Sequence, residues 1–275
     1  MMTEVQDDRI FRSTRMVAVV IVPVLLLAFL ILFLFPSTTG QRFAWEINPA
    51  MMAAYMGAGY LGGAWLFFNV ATGRCWHRVA PGFLSVTTFT VLMMVDTILY
   101  WERFDIRHFP FALWLVLYAI TPFLVPFLWW RNQRTDPGTP EVNDVTVPQG
   151  ARWVLRLLGI VLLLTAVIGM ISPAFVVSFW VWPLTLLSAR ILSGWFALLG
   201  VGGVVIAQES RWSSWKVGLQ SIALWHVFVV IGAIIYRADF NSGLLNWYLV
   251  SVLIVLLGMG ILYAKMESQR NKHRD

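Results

Sequence analysis

The sequence predicts an all-α membrane protein: a polytopic helical bundle of about eight transmembrane helices, arranged as two parallel four-helix repeats offset by about 136–137 residues. Three observations lead to this prediction. Apolar residues make up 59% of the 275 residues, charged residues make up only 12%, and the mean hydropathy is +0.73; soluble domains carry about 25% charged residues. Long apolar runs recur along the chain, and the two halves share residues at matching positions.

Eight apolar segments are long enough to cross a hydrocarbon core of about 30 Å, which takes about 20 helical residues. They are residues 16–35, 49–70, 82–100, 109–130, 153–172, 188–207, 217–236 and 246–264. The first follows Arg12 and Arg15 as a signal peptide would, but its apolar stretch is too long and no A-x-A site follows it. We therefore expect an uncleaved first helix.

The distribution of Lys and Arg predicts the orientation of these segments. Fifteen lie in the N-terminal segment, the second, fourth and sixth connections and the C-terminal tail, and five lie on the other face. Because cytoplasmic loops collect Lys and Arg, we expect an integral plasma (inner) membrane protein with cytoplasmic N- and C-termini. The net charge of +6 is spread in short clusters between apolar runs, which argues for the lipid bilayer and against nucleic acid as the partner.

Comparing the chain with itself indicates an internal repeat. The matching pairs are Arg15 and Arg152, Pro36 and Pro173, Trp45 and Trp182, Arg74 and Arg211, then after a one-residue slip Gly82 and Gly218, Tyr100 and Tyr236, and Phe104 and Phe240. Four crossings in each copy would give both copies the same orientation about an axis along the membrane normal. The predicted division is 1–130 for the first repeat, 131–152 for a flexible cytoplasmic linker, and 153–275 for the second repeat.

Two charged residues fall inside predicted transmembrane segments, where charge is costly and marks functional candidates. Asp96 and Arg190 have similar predicted depths near the outer ends of their helices, and their repeat counterparts, Gly232 and Ala53, are uncharged. We expect an ion pair between them across the two halves. It would be either a structural clamp or part of a ligand or ion site.

A second cluster of candidates lies in the predicted outer loops. It contains Trp45, Glu46, Asn48, Glu102, Asp105, His108, Trp182, Asp239 and Asn241. These side chains either form an aromatic belt with solvated charges beside it or build a binding pocket or hydrolytic site. The spacing of the acidic residues fixes no metal, so no metal site is predicted.

His226 lies near the middle of the seventh segment and is a further candidate. A haem with two histidine ligands would need a second histidine at the same depth, whereas the other histidines lie in loops or near helix ends; methionine ligation by Met93 or Met94 stays open. No cofactor is therefore predicted. A packing histidine or an imidazole on a transport path fits better.

Three functions remain open after these steps, because the chain contains none of the common phosphate-binding, zinc or nucleophile motifs. The first is a permease-like or small-ligand-binding membrane protein, since duplicated bundles often enclose a path along their axis. The second is an accessory subunit of a larger membrane complex, or a homo-oligomer. The third is a membrane enzyme at the outer face, which would use Glu46, Glu102, Asp105, His108 and Asp239.

Overall fold

The computed structural model describes residues 6–272, which form helices joined by short connections. The long helices are α1 (Arg12–Leu34), α3 (Ala50–Thr72), α4 (Ala80–Leu99), α5 (Phe109–Gln133), α6 (Gln149–Ile171), α8 (Leu186–Ile206), α9 (Trp212–Ile235) and α10 (Leu244–Lys272); the short ones are α2 (Thr39–Arg42) and α7 (Pro173–Phe179). Residues 6–272 contain two isolated bridges but no strand. The prediction of an all-α membrane bundle is confirmed.

Seven of the long helices are long and apolar enough to cross a membrane, so the chain is a multi-pass membrane protein. The exception is α3, which is rich in Gly and Ala. Fifteen of its 23 residues are buried, whereas α1, of the same length, buries four. Helix α3 is thus shielded by its neighbours and has less need of lipid-facing apolar side chains; an eighth span stays a prediction.

Four helices, α3, α4, α8 and α9, form the centre of the bundle. Helix α3 packs on α9 and α8 packs on α4, so both contacts join the two halves of the chain. Around them α1 packs on α3, α6 on α8, α5 on α4 and α10 on α9. These are the pairs that a twofold relation between the halves would produce, although the internal repeat itself stays a prediction.

Small residues allow the central helices to approach closely. A Cβ atom at Gly62 of α3 would lie 2.8 Å from the carbonyl oxygen of Ser221 in α9. A Cβ atom at Gly202 of α8 would lie 2.9 Å from Oγ of Ser85 in α4. Because apolar lipid gives helices no hydrophobic reason to associate, such close backbone contacts hold them together. The glycines of α3 and α8 thus allow the two halves to pack closely.

The starts of several helices are stabilised by prolines in the first turn or by side chains that accept hydrogen bonds from free backbone amides. Pro81 and Pro110 lie in the first turns of α4 and α5, where proline costs no hydrogen bond. The side chain of Thr185 accepts a hydrogen bond from the amide of Ser188 at the start of α8. Helix α3 is capped from the other half of the chain, because Oδ2 of Asp239 accepts from the Met51 amide at 2.8 Å.

The segment between the two halves packs against helices of the second half. Val145 and Val147 are buried in a cluster with Trp212, Trp215 and Met266. Thr146 forms an isolated β-bridge with Arg211, and Arg9 forms one with Cys75. Thr146 lies 137 positions after Arg9, and Arg211 lies 136 positions after Cys75, so the two bridges correspond at the predicted repeat offset. These contacts come from helices that are distant in sequence, so the pattern of Pro, Gly and Asn does not reveal them; the flexibility of the linker stays a prediction.

The two ends of the bundle differ in chemistry. We call the end that holds Asp8, His77, Glu141, Ser213 and Arg270 the basic end, and the end that holds Trp45, Phe104, Trp182 and Phe240 the aromatic end. Between them, the sides of α1, α6 and α10 expose long rows of Leu, Ile and Val. This exposed apolar band is the surface that a bilayer would cover.

Candidate functional site

A long apolar cleft lies between α1 and α5, with α3 and α4 as its floor and α8 and α9 behind them. Its volume is about 270 Å³. On α5 the lining runs from Phe109 to Leu128, which at about 1.5 Å per residue spans roughly 28 Å. Phe109 and Leu27 are exposed at its rim, so the cleft opens on the side of the bundle, between α1 and α5.

The cleft is closed at the basic end by contacts between α1 and α5. Thr14 Oγ1 donates to Asn132 Oδ1 at 2.5 Å, and both residues are buried. The guanidinium of Arg131 lies 5.3 Å from the centre of the Phe11 ring. Toward the aromatic end, Arg42 and Phe43 line the cleft instead. The cleft is therefore closed by polar contacts at the basic end, and the cation of Arg42 lies at its aromatic end.

Few polar atoms face the cleft. The hydroxyls of Tyr60 and Tyr118 bind each other at 3.1 Å. Ser85, Ser221 and Trp195 also line the cleft, but Ser85 Oγ, Ser221 Oγ and Trp195 Nε1 are buried atoms that lack hydrogen-bond partners within residues 6–272. Because these three atoms have almost no exposed surface, the face that a ligand would contact is apolar, and an apolar ligand fits this lining.

The basic end holds a network that the sequence analysis did not anticipate. His77 is 2% exposed and lies between two acidic side chains: Nδ1 is 2.5 Å from Asp8 Oδ2, and Nε2 is 3.1 Å from Glu141 Oε1. Nε2 also lies 2.9 Å from Ser213 Oγ. Burial opposes the protonated imidazole, but the hydrogen bonds to Asp8 and Glu141 outweigh it and raise the pKa of His77 to about 9.

Matching contacts surround this histidine in both halves. Asp8 Oδ1 accepts from the His77 amide at 3.0 Å, and Asp144 Oδ1 accepts from the Ser213 amide at 3.1 Å. Ser213 Oγ donates to Asp144 Oδ2 at 2.5 Å. His77 and Ser213 are 136 residues apart, so the two arrangements correspond at the predicted repeat offset and meet through one hydrogen bond.

The series Asp8, His77 and Ser213 has the order of a catalytic triad but not its chemistry. With a pKa of about 9, His77 carries a proton on both nitrogens at neutral pH and cannot accept one from a serine hydroxyl. The Ser213 hydroxyl already donates its proton to Asp144, and Ser213 as a residue is only 1% exposed. The network is therefore a charged clamp between the halves.

Asp96 and Arg190 lie close together without forming an ion pair. Asp96 is fully buried, and neither of its oxygens has a hydrogen-bond partner within residues 6–272. Arg190 lies near enough to act on Asp96 electrostatically, yet its guanidinium stacks 5.8 Å from the centre of the Tyr100 ring. The direct ion pair that we expected is therefore not formed within residues 6–272, because the guanidinium of Arg190 lies against Tyr100 instead.

We expect Asp96→Asn to leave the melting temperature in detergent unchanged or higher. The substitution removes a buried charge that no cation contacts directly, and such a charge destabilises the fold. Thermal unfolding of the variant and the parent protein measures the effect. A loss of about 3–5 kcal/mol, as found when one partner of a buried ion pair is removed, would show instead that Asp96 pairs with Arg190 in the membrane.

The aromatic end separates the predicted outer cluster into two structural groups. Trp45 packs edge-on against Phe104 at 5.7 Å, and Trp182 packs edge-on against Phe240 at 5.3 Å. His108 Nε2 lies 3.0 Å from the Phe43 carbonyl oxygen, while Asn241 Nδ2 donates to the Trp180 carbonyl at 3.0 Å. These side chains hold loops in place, and Asp239 caps α3.

The remaining acidic side chains of this end do not converge. Glu46 accepts from Asn48 at 2.9 Å and Asp105 accepts from the Arg107 amide at 2.9 Å; both acids are exposed, as is Glu102. Within residues 6–272 no group of three His, Cys, Asp or Glu residues could hold a metal ion. The geometry of a hydrolytic centre is not assembled from the predicted outer residues.

His226 lies on α9 with its Nδ1 atom 2.8 Å from the Ile222 carbonyl oxygen, one turn earlier in the same helix. Its ring also contacts Trp225. The cleft is lined by Ile222 and Trp225 rather than by His226. This position favours the packing interpretation of His226 over a place on a path through the bundle.

Comparison with protein-family models, with curated proteins and with solved structures found no match for this chain. The assignment of a function accordingly depends on the geometry of the cleft and of the two ends.

Proposed function

We propose that the protein binds a long, mostly apolar molecule, and that this molecule reaches the cleft between α1 and α5 sideways from the bilayer. The observation that carries the proposal is the cleft itself, which is apolar along its length. Apolar pockets with a few convergent polar groups are the usual form of small-ligand sites. This refines the permease-like or ligand-binding interpretation.

The repeat and the orientation of the chain support a carrier. We infer that the chain consists of two copies of one unit, because Asp8 and His77 repeat the contacts of Asp144 and Ser213 at the offset found in the sequence. The positive-inside rule favours a cytoplasmic location for the basic end, because of its positive charge. Two copies in the same orientation around a shared centre would let one move against the other.

Filling the cleft tests the proposal. Leu117→Trp places a large ring on the α5 wall, and we expect it to abolish retention of the ligand while leaving the fold intact. Val116→Trp is the matched control, because Val116 is the preceding residue of α5, is 54% exposed and does not line the cleft. Native mass spectrometry of protein extracted from its own membrane in mild detergent reports bound small molecules and partner proteins together.

Each outcome of this experiment has a clear meaning. A defined small molecule on the parent protein and on Val116→Trp, but not on Leu117→Trp, supports the cleft as the binding site. Equal retention by both variants places the ligand elsewhere. Stoichiometric partner proteins with no bound small molecule would favour the accessory-subunit alternative.

A further inference from the structure

A second recess lies at the basic end, between the last turns of α3 and the first turns of α9. Its volume is about 320 Å³, and it shares no lining residue with the apolar cleft. Polar groups from four parts of the chain face it: Asn69 from α3, Arg78 from the following loop, Lys216 and Gln220 from α9, and Arg270 from α10. The lining of this recess is therefore polar and cationic, whereas the lining of the cleft is apolar.

Positive charge exceeds negative charge around this recess. Three cations line it, but the two acidic residues that bind them do not. Glu141 is shared between Arg78 and Arg270, and it also contacts His77. Asp8 also binds His77, so Arg78 and Arg270 share Glu141, while Lys216 pairs with Glu267. The residues that line the recess thus present three cations and no carboxylate, and these three cations share two carboxylates that lie outside the lining.

Hydrogen-bond donors in the recess also exceed the acceptors. Arg270 Nη2 donates to Glu141 at 3.0 Å, and its guanidinium carries further N–H groups. Lys216 Nζ binds Glu267 at 2.9 Å and has further protons to donate. An anionic group with several oxygens, such as a phosphate, would use these donors.

The surroundings of the recess indicate where the anion comes from. Trp65 lines it and is 36% exposed, with its indole nitrogen donating to Gln220 Oε1 at 3.2 Å. The neighbouring Phe68 stacks on Trp65 and is 48% exposed. A half-exposed indole with its polar edge toward a charged recess is typical of the boundary between headgroups and hydrocarbon. Basic recesses between helices at this level suit lipid headgroups.

We propose that this recess binds the phosphate headgroup of an anionic phospholipid, with the lipid chains against Trp65 and Phe68. Lys216, Arg78 and Arg270 would contact the phosphate oxygens. This lipid site is separate from the ligand site in the cleft.

The test compares two lysine substitutions at the same end of the bundle. Lys216→Gln removes a cation that faces the recess, whereas Lys265→Gln removes an exposed cation of α10 outside it. Each variant is offered phosphatidylglycerol and phosphatidylcholine in equal amounts and studied by native mass spectrometry. We expect Lys216→Gln to reduce phosphatidylglycerol retention about fivefold, the factor equivalent to about 1 kcal/mol per basic residue near an anionic surface. Lys265→Gln should match the parent protein.

Three results would overturn the proposal. They are equal losses in the two variants, equal retention of phosphatidylcholine by the parent protein, and displacement of the lipid by excess inorganic phosphate, which would identify a site for free phosphate instead. Arg270→Gln provides a second variant if Lys216→Gln unfolds. Leu117→Trp should retain phosphatidylglycerol normally, so failure of the cleft proposal and failure of this one are distinguishable.

Discussion

Replacing His77 by phenylalanine is expected to lower the free energy of unfolding by about 3–5 kcal/mol, the range found when one partner of a buried charge pair is removed. The phenyl ring fills a similar volume but donates no hydrogen bond to Asp8 or Glu141, which now lie on either side of the imidazole. Glu141 keeps Arg78 and Arg270 as partners, so Asp8 accounts for most of the loss. Thermal and denaturant unfolding in a defined detergent measure the change.

The pH dependence of unfolding provides a second measurement on the same residue. The pKa of His77 is raised from 6.5 to about 9 in the folded protein. Its stabilising contribution is therefore complete below about pH 6.5 and is lost as the pH rises through about 9. We expect the parent protein to lose about 3 kcal/mol over this interval, and we expect His77→Phe to show no such slope.

His108→Phe is the matched control for His77→Phe. Within residues 6–272 the ring of His108 binds a backbone carbonyl oxygen rather than a carboxylate, so its replacement should cost about 1 kcal/mol, and the pH-dependent slope that comes from His77 should remain. Equal effects of the two substitutions, or a flat pH profile in the parent protein, would contradict a charged clamp at His77.

Gly62→Ala is the second substitution with a large expected effect. The added methyl group would lie 2.8 Å from the Ser221 carbonyl oxygen. This oxygen belongs to the backbone of α9, which cannot move without shifting the helix, unlike a flexible side chain. Helices α3 and α9 must separate to accept it, at a cost of about 1–3 kcal/mol. Since this contact joins the two halves, we expect lower thermal stability and faster proteolysis between them.

Gly63→Ala is the control for this experiment, because Gly63 is the next residue of α3 and belongs to the same small-residue run. Its added methyl group would lie 3.5 Å from Leu25 Cδ1, an ordinary contact, and alanine favours the helix by about 1 kcal/mol over glycine. Gly63→Ala should be neutral or stabilising. If both variants unfold alike, close contact at Gly62 does not hold the halves together.

The sequence predicted the long helices well because a membrane helix is a long, nearly uninterrupted run of apolar residues, which is easy to recognise. The predicted segments 109–130 and 188–207 agree closely with α5 and α8. Helix α10 continues beyond the predicted end at residue 264 to Lys272, because its polar last turns bind the basic end through Arg270 and Glu267 rather than lipid. A hydropathy pattern does not detect a helix that leaves the membrane and keeps its partners.

The candidate site was less predictable. The aromatic pairs of Trp45 and Trp182 lie at repeat positions, yet they proved to be structural contacts. The clamp at His77 was missed because Asp8, Glu141 and Ser213 are far apart in sequence and none belongs to a known motif. Residues 8 and 77 lie 136 positions before residues 144 and 213, whereas the sequence comparison aligned the first repeat at an offset of 137 as far as residue 74, so it did not pair Asp8 with Asp144. The cleft required the three-dimensional arrangement of six helices.

The segment that joins the two halves also shows how they hold each other. Asp136, before the turn at Gly138, binds Arg211 of the second half at 2.8 Å, and Glu141, after the turn, binds His77 and Arg78 of the first. Each half thus extends an arm to the other, as in an arm-exchanged dimer whose subunits happen to be fused. Gly138 is exposed, and a Cβ atom added to it would have no neighbouring atom within 4 Å. Cleaving the chain there would leave both arms engaged, so the two fragments would remain associated as a heterodimer.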